Sequence, residues 1–283
     1  MIKNSKKISV AVALSTLLTA SLFANDDIVL DFEKKRMAQN PNVKIKSIKL
    51  NSKKELDEVN SWSGYIFDIE AVIQGKDIKA KDILFSDGKV VAPDLIDAKT
   101  GKSLKDSVTP AMTEKYYDKT RLIAGNHDAK DKVVVFSDPL CPFCQDYIPD
   151  IISKVEANSK NIALYYYAFP LTQIHPASLP LSKLIDIAVE KGVKDATIKA
   201  YKTDWEEHFD PKSEDSAKIL EAFNKVLGTD IKIADLNKKE INAKLEKDIQ
   251  MGDDLMVSGT PTLYVNGKKE APSQFDFGTI GKE

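Results

Sequence analysis

The sequence predicts an α+β segment followed by an α/β domain that carries a helical insertion. Apolar side chains occupy every second position of residues 65–73, which is typical of an antiparallel strand with one buried face. Residues 133–136 form an apolar run that leads to Cys141 and Cys144, and a helical pattern begins at Gln145. A strand, a Cys-x-x-Cys turn and a helix in this order are the layout of a dithiol redox site.

The first 24 residues have the pattern of a secretory signal peptide. Three lysines precede an apolar stretch over 8–20, and Ala24 offers a small residue at a plausible cleavage point. An uncleaved membrane anchor is the alternative, because the apolar run is only a little short for a bilayer span. Cleavage removes three lysines and no acidic residue, so the formal charge changes from −2 to −5. We therefore expect export to an oxidising compartment.

Residues 25–103 are predicted to form one helix on a small antiparallel sheet. The helix is expected over 28–37, and strand patterns follow over 43–50 and 65–73. Asp87-Gly88 lies between two apolar runs, which predicts a hairpin with a two-residue turn.

Residues 104–130 are predicted to be a linker helix between two domains. Thr109 is a preferred N-cap residue, and Pro110 suits the first helical position. The helix is expected to run to Leu122 and to end at Gly125.

Residues 131–283 are predicted to form the α/β domain. Strands and helices alternate there, with a mostly helical insertion over about 174–230. The expected order is a strand over 133–136, a helix over 145–157 containing Pro149, a strand over 162–168, the insertion, an amphipathic helix over 241–256, and a strand over 262–265.

The amino-acid composition and charge exclude some classes of function. With 42% hydrophobic and 30% charged residues, the chain has the balance of a soluble globular protein. The formal charge of −2 and the spread of basic residues along the chain argue against a nucleic-acid partner.

The two cysteines are the only ones in the sequence, and a disulfide bond across so small a loop adds little stability. Their spacing therefore favours redox catalysis over a structural disulfide.

The two cysteines are expected to have different roles. Cys141 precedes a helix, where free backbone N–H groups and a partial positive charge favour a thiolate, so it is the expected nucleophile. Cys144, one helical turn later, is expected to be the less exposed, resolving thiol. Metal capture is the chief competitor, but a structural zinc site needs two more ligands, and the three histidines show no ligand spacing. No metal or cofactor is expected.

The order of these elements resembles the thioredoxin fold, and most closely the periplasmic thiol–disulfide interchange proteins of the DsbC and DsbG type. Residues 138–144, Asp-Pro-Leu-Cys-Pro-Phe-Cys, are similar to the DsbG active-site segment, with Phe143 where that family usually has Tyr. Gly259-Thr260-Pro261 is similar to the family's cis-proline loop. Residues 26–125 are similar, in element order only, to the cystatin-like dimerisation domain and linker helix of these proteins.

The resemblance implies roles for further residues. Pro142 and Phe143 would tune the thiols, and Thr260 and a cis Pro261 would bind an extended substrate segment beside Cys141. It also implies a periplasmic homodimer that is kept reduced by a DsbD-like membrane protein.

The sequence also departs from this family. The helical insertion is large, more like that of the DsbA oxidases. Val135 stands six residues before Cys141, where thioredoxin has a buried acid, so proton transfer to Cys144 would need water or another group. Asp138 is expected either to influence the thiols electrostatically or to cap the turn, and His175 to be a helix-start or core residue.

Three functions remain open from the sequence. The first is isomerisation or reduction of incorrect disulfides in misfolded or disulfide-bearing exported proteins. The second is net oxidation, with the disulfide restored by a DsbB-like partner. The third, from another class, is a holdase chaperone in which the cysteines are incidental.

Overall fold

A computed structural model defines residues 15–73 and 75–282, with the side chains of residues 15–25 and of Lys76 left undescribed. The chain divides into two compact units, Met1–Thr109 and Pro110–Glu283. The predicted signal peptide, residues 1–24, lies largely outside the described part. Within that part, no helix combines the length and the apolar character needed to cross a membrane.

The first unit is a helix packed on an antiparallel sheet, as the sequence predicts. Its strands are hydrogen-bonded in the order β1-β2-β3-β4. Val29 of the helix packs on Tyr65 and Phe67 of β2, and all three are buried. The elements are α1 (Ser15–Ala38), β1 (Val43–Glu55), β2 (Ser63–Ile73), β3 (Lys76–Ser86), β4 (Val91–Ala92) and a short α2 (Lys105–Val108).

The predicted two-residue hairpin turn is wrong. Strands β3 and β4 pair through Ser86 and Val91, so the turn contains four residues, 87–90. The Asp87 carboxylate accepts hydrogen bonds from the backbone N–H groups of Lys89 (2.9 Å) and Val90 (2.8 Å). This side-chain acceptor stabilises the wider turn.

The predicted linker helix over 104–130 is also wrong. Thr109 is extended (φ −55°, ψ 148°), as the residue before a proline prefers, and this ends α2. Two 3₁₀ turns, Glu114–Tyr116 and Lys119–Arg121, and strand β5 (Leu122–Gly125) follow. Arg121 is buried and pairs with Asp248 at 2.6 Å, while β5 pairs with another strand of the second unit, to which Arg121 and β5 both belong. These tertiary contacts override the local helix signals.

The second unit is built on a five-stranded mixed sheet. The strands lie in the order β5-β7-β6-β8-β9, and β6 and β7 are parallel. The remaining strands are β6 (Asp131–Ser137), β7 (Ile162–Ala168), β8 (Thr262–Val265) and β9 (Lys268–Glu270). Both faces of β6 and β7 are covered, which explains why their sequences are continuous apolar runs.

Helices cover this sheet. Val133 and Val135 contribute to one core cluster, which includes residues of the helical insertion, while Val134 and Phe136 contribute to another. Pro149 lies inside α3, and Gly228 ends α6 with a left-handed conformation (φ 68°). The helices are α3 (Pro142–Ala157), α4 (Ser178–Glu190), α5 (Ala196–Lys202), α6 (Ser216–Leu227), α7 (Ile233–Leu236) and α8 (Lys239–Asp254).

Candidate active site

The two cysteines lie where the central strand β6 gives way to helix α3. Cys141 directly precedes the first helical residue, Pro142, and has extended backbone angles (φ −75°, ψ 121°). The backbone N–H of Cys144 donates to the carbonyl of Cys141 at 2.9 Å, which closes the first turn. Pro142 removes one N–H that would otherwise be unpaired at the helix start. Cys141 is therefore at the positive end of the helix dipole.

Asp138 fixes the turn that leads to Cys141. Its carboxylate is fully buried. One oxygen accepts from the Leu140 N–H (2.7 Å) and the Ser178 hydroxyl (2.6 Å). The other accepts from the Leu171 N–H (2.8 Å) and lies 3.2 Å from His175 Nδ1. Of the two roles that the sequence left open for Asp138, these contacts support capping of the turn, and they place His175 just before α4.

The Thr260-Pro261 loop lies against Cys141. The Cys141 thiol donates to the Thr260 carbonyl oxygen at 3.2 Å, although the two residues are 119 positions apart in the chain. The Thr260–Pro261 peptide bond is cis, as expected from the resemblance. The Thr260 hydroxyl is buried and, among the described residues, has no hydrogen-bond partner. It is available to donate to a Cys141 thiolate.

The two thiols have opposite pKa shifts. A hydrogen bond from the Cys144 thiol is the largest influence that lowers the pKa of Cys141. The nearby Thr260 side chain and the backbone N–H groups of Cys144 and Phe143 add to it, and the pKa falls to about 6 despite burial. Burial, together with the neighbouring Cys141, raises the pKa of Cys144 far above the usual value. Both cysteines are free thiols, so the structure represents the dithiol state. Cys141 has the properties of a nucleophile, and Cys144 is a protonated, inaccessible thiol.

Cys144 is surrounded by groups that the sequence analysis did not assign to the site. A hydrogen bond with the Ser137 hydroxyl lowers the pKa of Cys144 in opposition to burial. Ser137 in turn accepts from the Tyr201 hydroxyl at 2.8 Å. Val135 is fully buried in the core. The only sequence signal for Ser137 is its place at the end of a buried strand, and nothing nearby in the chain indicates Tyr201.

Phe143 lies beside the thiols, whereas His127 and His208 lie elsewhere. Phe143 is 77% exposed next to Cys141. His127 Nδ1 is 2.9 Å from the Tyr165 hydroxyl, and His208 contacts the Trp205 ring, so neither joins the cysteines. In the part of the chain that the structure describes, no group of three or more His, Cys, Asp or Glu side chains is arranged to hold a metal ion.

Comparisons with known proteins agree with this geometry. A family model described as Thioredoxin matches residues 117–277. A probable disulfide bond formation protein D from Bacillus anthracis is 26% identical over 183 residues, which cover 58% of this chain and 76% of that protein. Its namesake from Bacillus cereus is 29% identical over 175 residues, with the same two coverages, 58% and 76%.

The chain is also similar to solved structures. A thioredoxin-like oxidoreductase from Silicibacter pomeroyi has a TM-score of 0.44 and 19% identity, covering 56% of this chain and 88% of the other. The oxidised BdbD protein of Bacillus subtilis has a TM-score of 0.40 and 17% identity, covering 57% and 88%.

The family match spans more than half of the chain. It includes both cysteines of the strand-to-helix turn and the Thr260-Pro261 loop that packs on it. The chain therefore belongs to the thioredoxin family, as a thiol–disulfide oxidoreductase.

Proposed function

We propose that the protein exchanges disulfides with exported proteins through Cys141 as nucleophile and Cys144 as resolving thiol. The supporting observation is the difference between the two thiols, since the pKa of Cys141 is about 6 and Cys144 is fully buried. A Cys141 thiolate attacks one sulfur of a substrate disulfide, and the other substrate sulfur leaves as a thiolate. A substrate thiol then reshuffles the mixed disulfide, or Cys144 displaces the substrate and closes the Cys141–Cys144 bond.

The substrate segment is proposed to lie along the loop containing Thr260 and Pro261. This loop contacts the Cys141 thiol directly, so a chain bound to it would present a disulfide to the nucleophile. The exposed Phe143 ring, two residues after Cys141, offers an apolar contact to such a chain. Pro142 and Phe143 are proposed to tune the thiols, because the residues between two such cysteines influence their pKa and reduction potential.

Net oxidation is the direction that the thiol chemistry favours. A lowered pKa of Cys141 stabilises the dithiol form, and a stabilised dithiol makes the disulfide form a stronger oxidant. Allowing for solvent screening, this stabilisation is on the order of 1 kcal/mol at pH 7, or about 20 mV for two electrons. The names of the Bacillus relatives refer to disulfide bond formation, which supports the same direction. A DsbB-like membrane oxidant would restore the disulfide.

Isomerisation or reduction is the second candidate, and it depends on the first unit. Ile28 and Phe32, one helical turn apart on α1, are 55% and 41% exposed. Covering these apolar side chains would favour a homodimer through a cystatin-like domain of residues 25–103. Such a dimer would hold unfolded chain, with a holdase activity as a side effect, and would need a DsbD-like reductant.

The redox state of the Cys141–Cys144 pair in cells tests whether the protein acts as an oxidase or as an isomerase. Trapping with a thiol reagent is expected to show mostly disulfide, and the purified protein is expected to oxidise reduced ribonuclease faster than it refolds scrambled ribonuclease. A mostly dithiol pair and the opposite order of rates would reject the oxidase and support the isomerase. Mass spectrometry of the protein from a periplasmic extract tests export, with a mature chain expected to begin just after Ala24.

A further inference from the structure

Helices α4, α6 and α8 end in the same left-handed turn but not on the same residue type. Gly192 (φ 75°) and Gly228 (φ 68°) take the left-handed position after α4 and α6, whereas Met256 (φ 57°) takes it after α8. In each helix the next residue donates its backbone N–H to the carbonyl five positions earlier, at 2.9, 3.0 and 2.9 Å respectively. The turns therefore share this hydrogen bond, and the residue at the left-handed position is what distinguishes them.

Methionine is an unusual residue for this position. A Cβ atom crowds the following carbonyl oxygen in the left-handed region, and glycine, which has no Cβ, is the usual residue where a helix ends in this way. Among the described residues, the other left-handed positions without glycine hold the polar residues Ser61, Asp195 and Asn266. Met256 is thus held in a costly conformation, and we expect its side chain to have a role that glycine cannot fill.

Packing in the protein core does not account for Met256. Its neighbours Leu255 and Val257 are buried in the core cluster that includes Phe136 and Phe169. Met256 itself is only partly buried, and in the described part of the chain it is not among the side chains that pack on a core cluster. Its unbranched, polarisable thioether is therefore available to another molecule and can adapt to apolar partners of different shapes.

We propose that Met256 is a specificity-determining residue, which contacts an apolar side chain of the substrate close to the cysteine that reacts with Cys141. The loop that begins at Met256 leads to Thr260, whose carbonyl oxygen accepts from the Cys141 thiol at 3.2 Å. Four residues span at most about 14 Å, so Met256 is within reach of an extended chain bound along this loop. The favoured substrates are exported chains with apolar side chains within a few residues of the reacting cysteine. This inference rests on the proposed function of disulfide exchange.

Two synthetic peptides and the full-length dithiol protein test this contact. Each peptide has one cysteine in a mixed disulfide with 5-thio-2-nitrobenzoate, and the second and fourth positions on each side of the cysteine are leucine in one peptide and serine in the other. The Cys141 thiolate attacks the peptide sulfur, the Cys141–peptide disulfide forms, and the coloured thionitrobenzoate leaves as a thiolate, so absorbance gives the second-order rate constant. Oxidised glutathione is the reference substrate, because it has no apolar side chain near its cysteines, and its reaction is followed by intact mass.

The wild type is expected to react about fivefold faster with the leucine peptide than with the serine peptide, because partly burying leucine side chains favours binding. Met256→Gly is expected to remove most of this preference and to raise the melting temperature by about 2–4 °C, since it removes both the contact and the left-handed strain. Met256→Leu is expected to retain the preference. Gly192→Met is the matched control, because the space around Gly192 is open. It is expected to lower the melting temperature by about 2–4 °C without changing the preference.

The same leucine-to-serine ratio in the wild type and in Met256→Gly would overturn the contact. So would a loss of rate in Met256→Gly that is as large for oxidised glutathione as for the leucine peptide, because it would indicate a disturbed thiol. A Gly192→Met variant as stable as the wild type would overturn the conformational cost from which the inference starts. The proposed function fails separately, if the wild type does not react with oxidised glutathione or if Cys141→Ser releases thionitrobenzoate as fast as the wild type.

Discussion

The hydrogen bond from Cys144 is the largest influence that lowers the pKa of Cys141, so Cys144→Ala is expected to raise that pKa. A hydrogen bond to a charged acceptor contributes about 1.5–3 kcal/mol, which corresponds to about 1–2 pKa units. From a starting value of about 6, half of the wild-type Cys141 is thiolate at pH 6. In the variant the thiolate fraction at pH 6 is expected to fall to about 10% or less.

Alkylation of Cys141 by iodoacetamide, followed by intact mass from pH 4 to 10, measures this change. The initial rate at pH 6 is expected to be at least fivefold lower in Cys144→Ala than in the wild type. Cys144→Ser is the matched control, since its hydroxyl still donates and the midpoint is expected to stay closer to the wild-type value. An unchanged midpoint in Cys144→Ala would refute the assignment of the hydrogen bond. A wild-type midpoint near 9 would refute the activated thiolate altogether.

Four further substitutions have expected outcomes that can be measured. Thr260→Val removes a hydroxyl donor at constant shape and is expected to raise the alkylation midpoint of Cys141 by up to about one unit; no shift would mean that the hydroxyl does not reach the thiolate. Asp138→Ala leaves several buried donors without an acceptor and is expected to cost about 3–5 kcal/mol in urea unfolding, whereas a cost below about 1 kcal/mol would contradict its anchoring role. Arg121→Met leaves the buried Asp248 carboxylate without its partner and is expected to lower the free energy of unfolding by about 3–5 kcal/mol. The double variant Arg121→Met/Asp248→Leu is expected to recover most of this loss. Equal stability of the single and double variants would argue against the ion pair. Because the folded pKa of Cys141 is below its unfolded value, the stability that its thiolate adds is complete above about pH 9 and is lost as the pH falls through about 6, and Cys141→Ser should lack this dependence.

Local sequence patterns predict the structure correctly where neighbouring residues determine it. The apolar run before Cys141 predicts β6, because a strand with both faces covered is apolar throughout. The alternation over 65–73 predicts β2, since one face of the first sheet is covered by α1. The Cys-Pro-Phe-Cys spacing predicts the thiol turn because the helix start and the two sulfurs lie within one helical turn.

Local sequence patterns do not predict the structure where contacts between distant residues determine it. The helix expected after Thr109 is replaced by 3₁₀ turns and a strand because Tyr116 is buried and its hydroxyl donates to the Met251 carbonyl at 3.0 Å. The hydrogen bond between Ser137 and Tyr201 could not be predicted from the sequence either, since Tyr201 lies 64 positions away on another element. From the sequence alone, a tyrosine is expected to be a packing residue. Only the fold shows that its hydroxyl also meets a serine.

The helical insertion belongs to the active site, because two consecutive residues join it to both thiols. Asp138, in the turn before Cys141, accepts from the Ser178 hydroxyl of α4. Ser137 accepts from Tyr201 on α5, and its hydroxyl lowers the pKa of Cys144. A rotation of the insertion against β6 would therefore change both the position of the nucleophile and the surroundings of the resolving thiol. Substitutions at these contacts are expected to alter thiol reactivity, while substitutions on the solvent face of α6 are not.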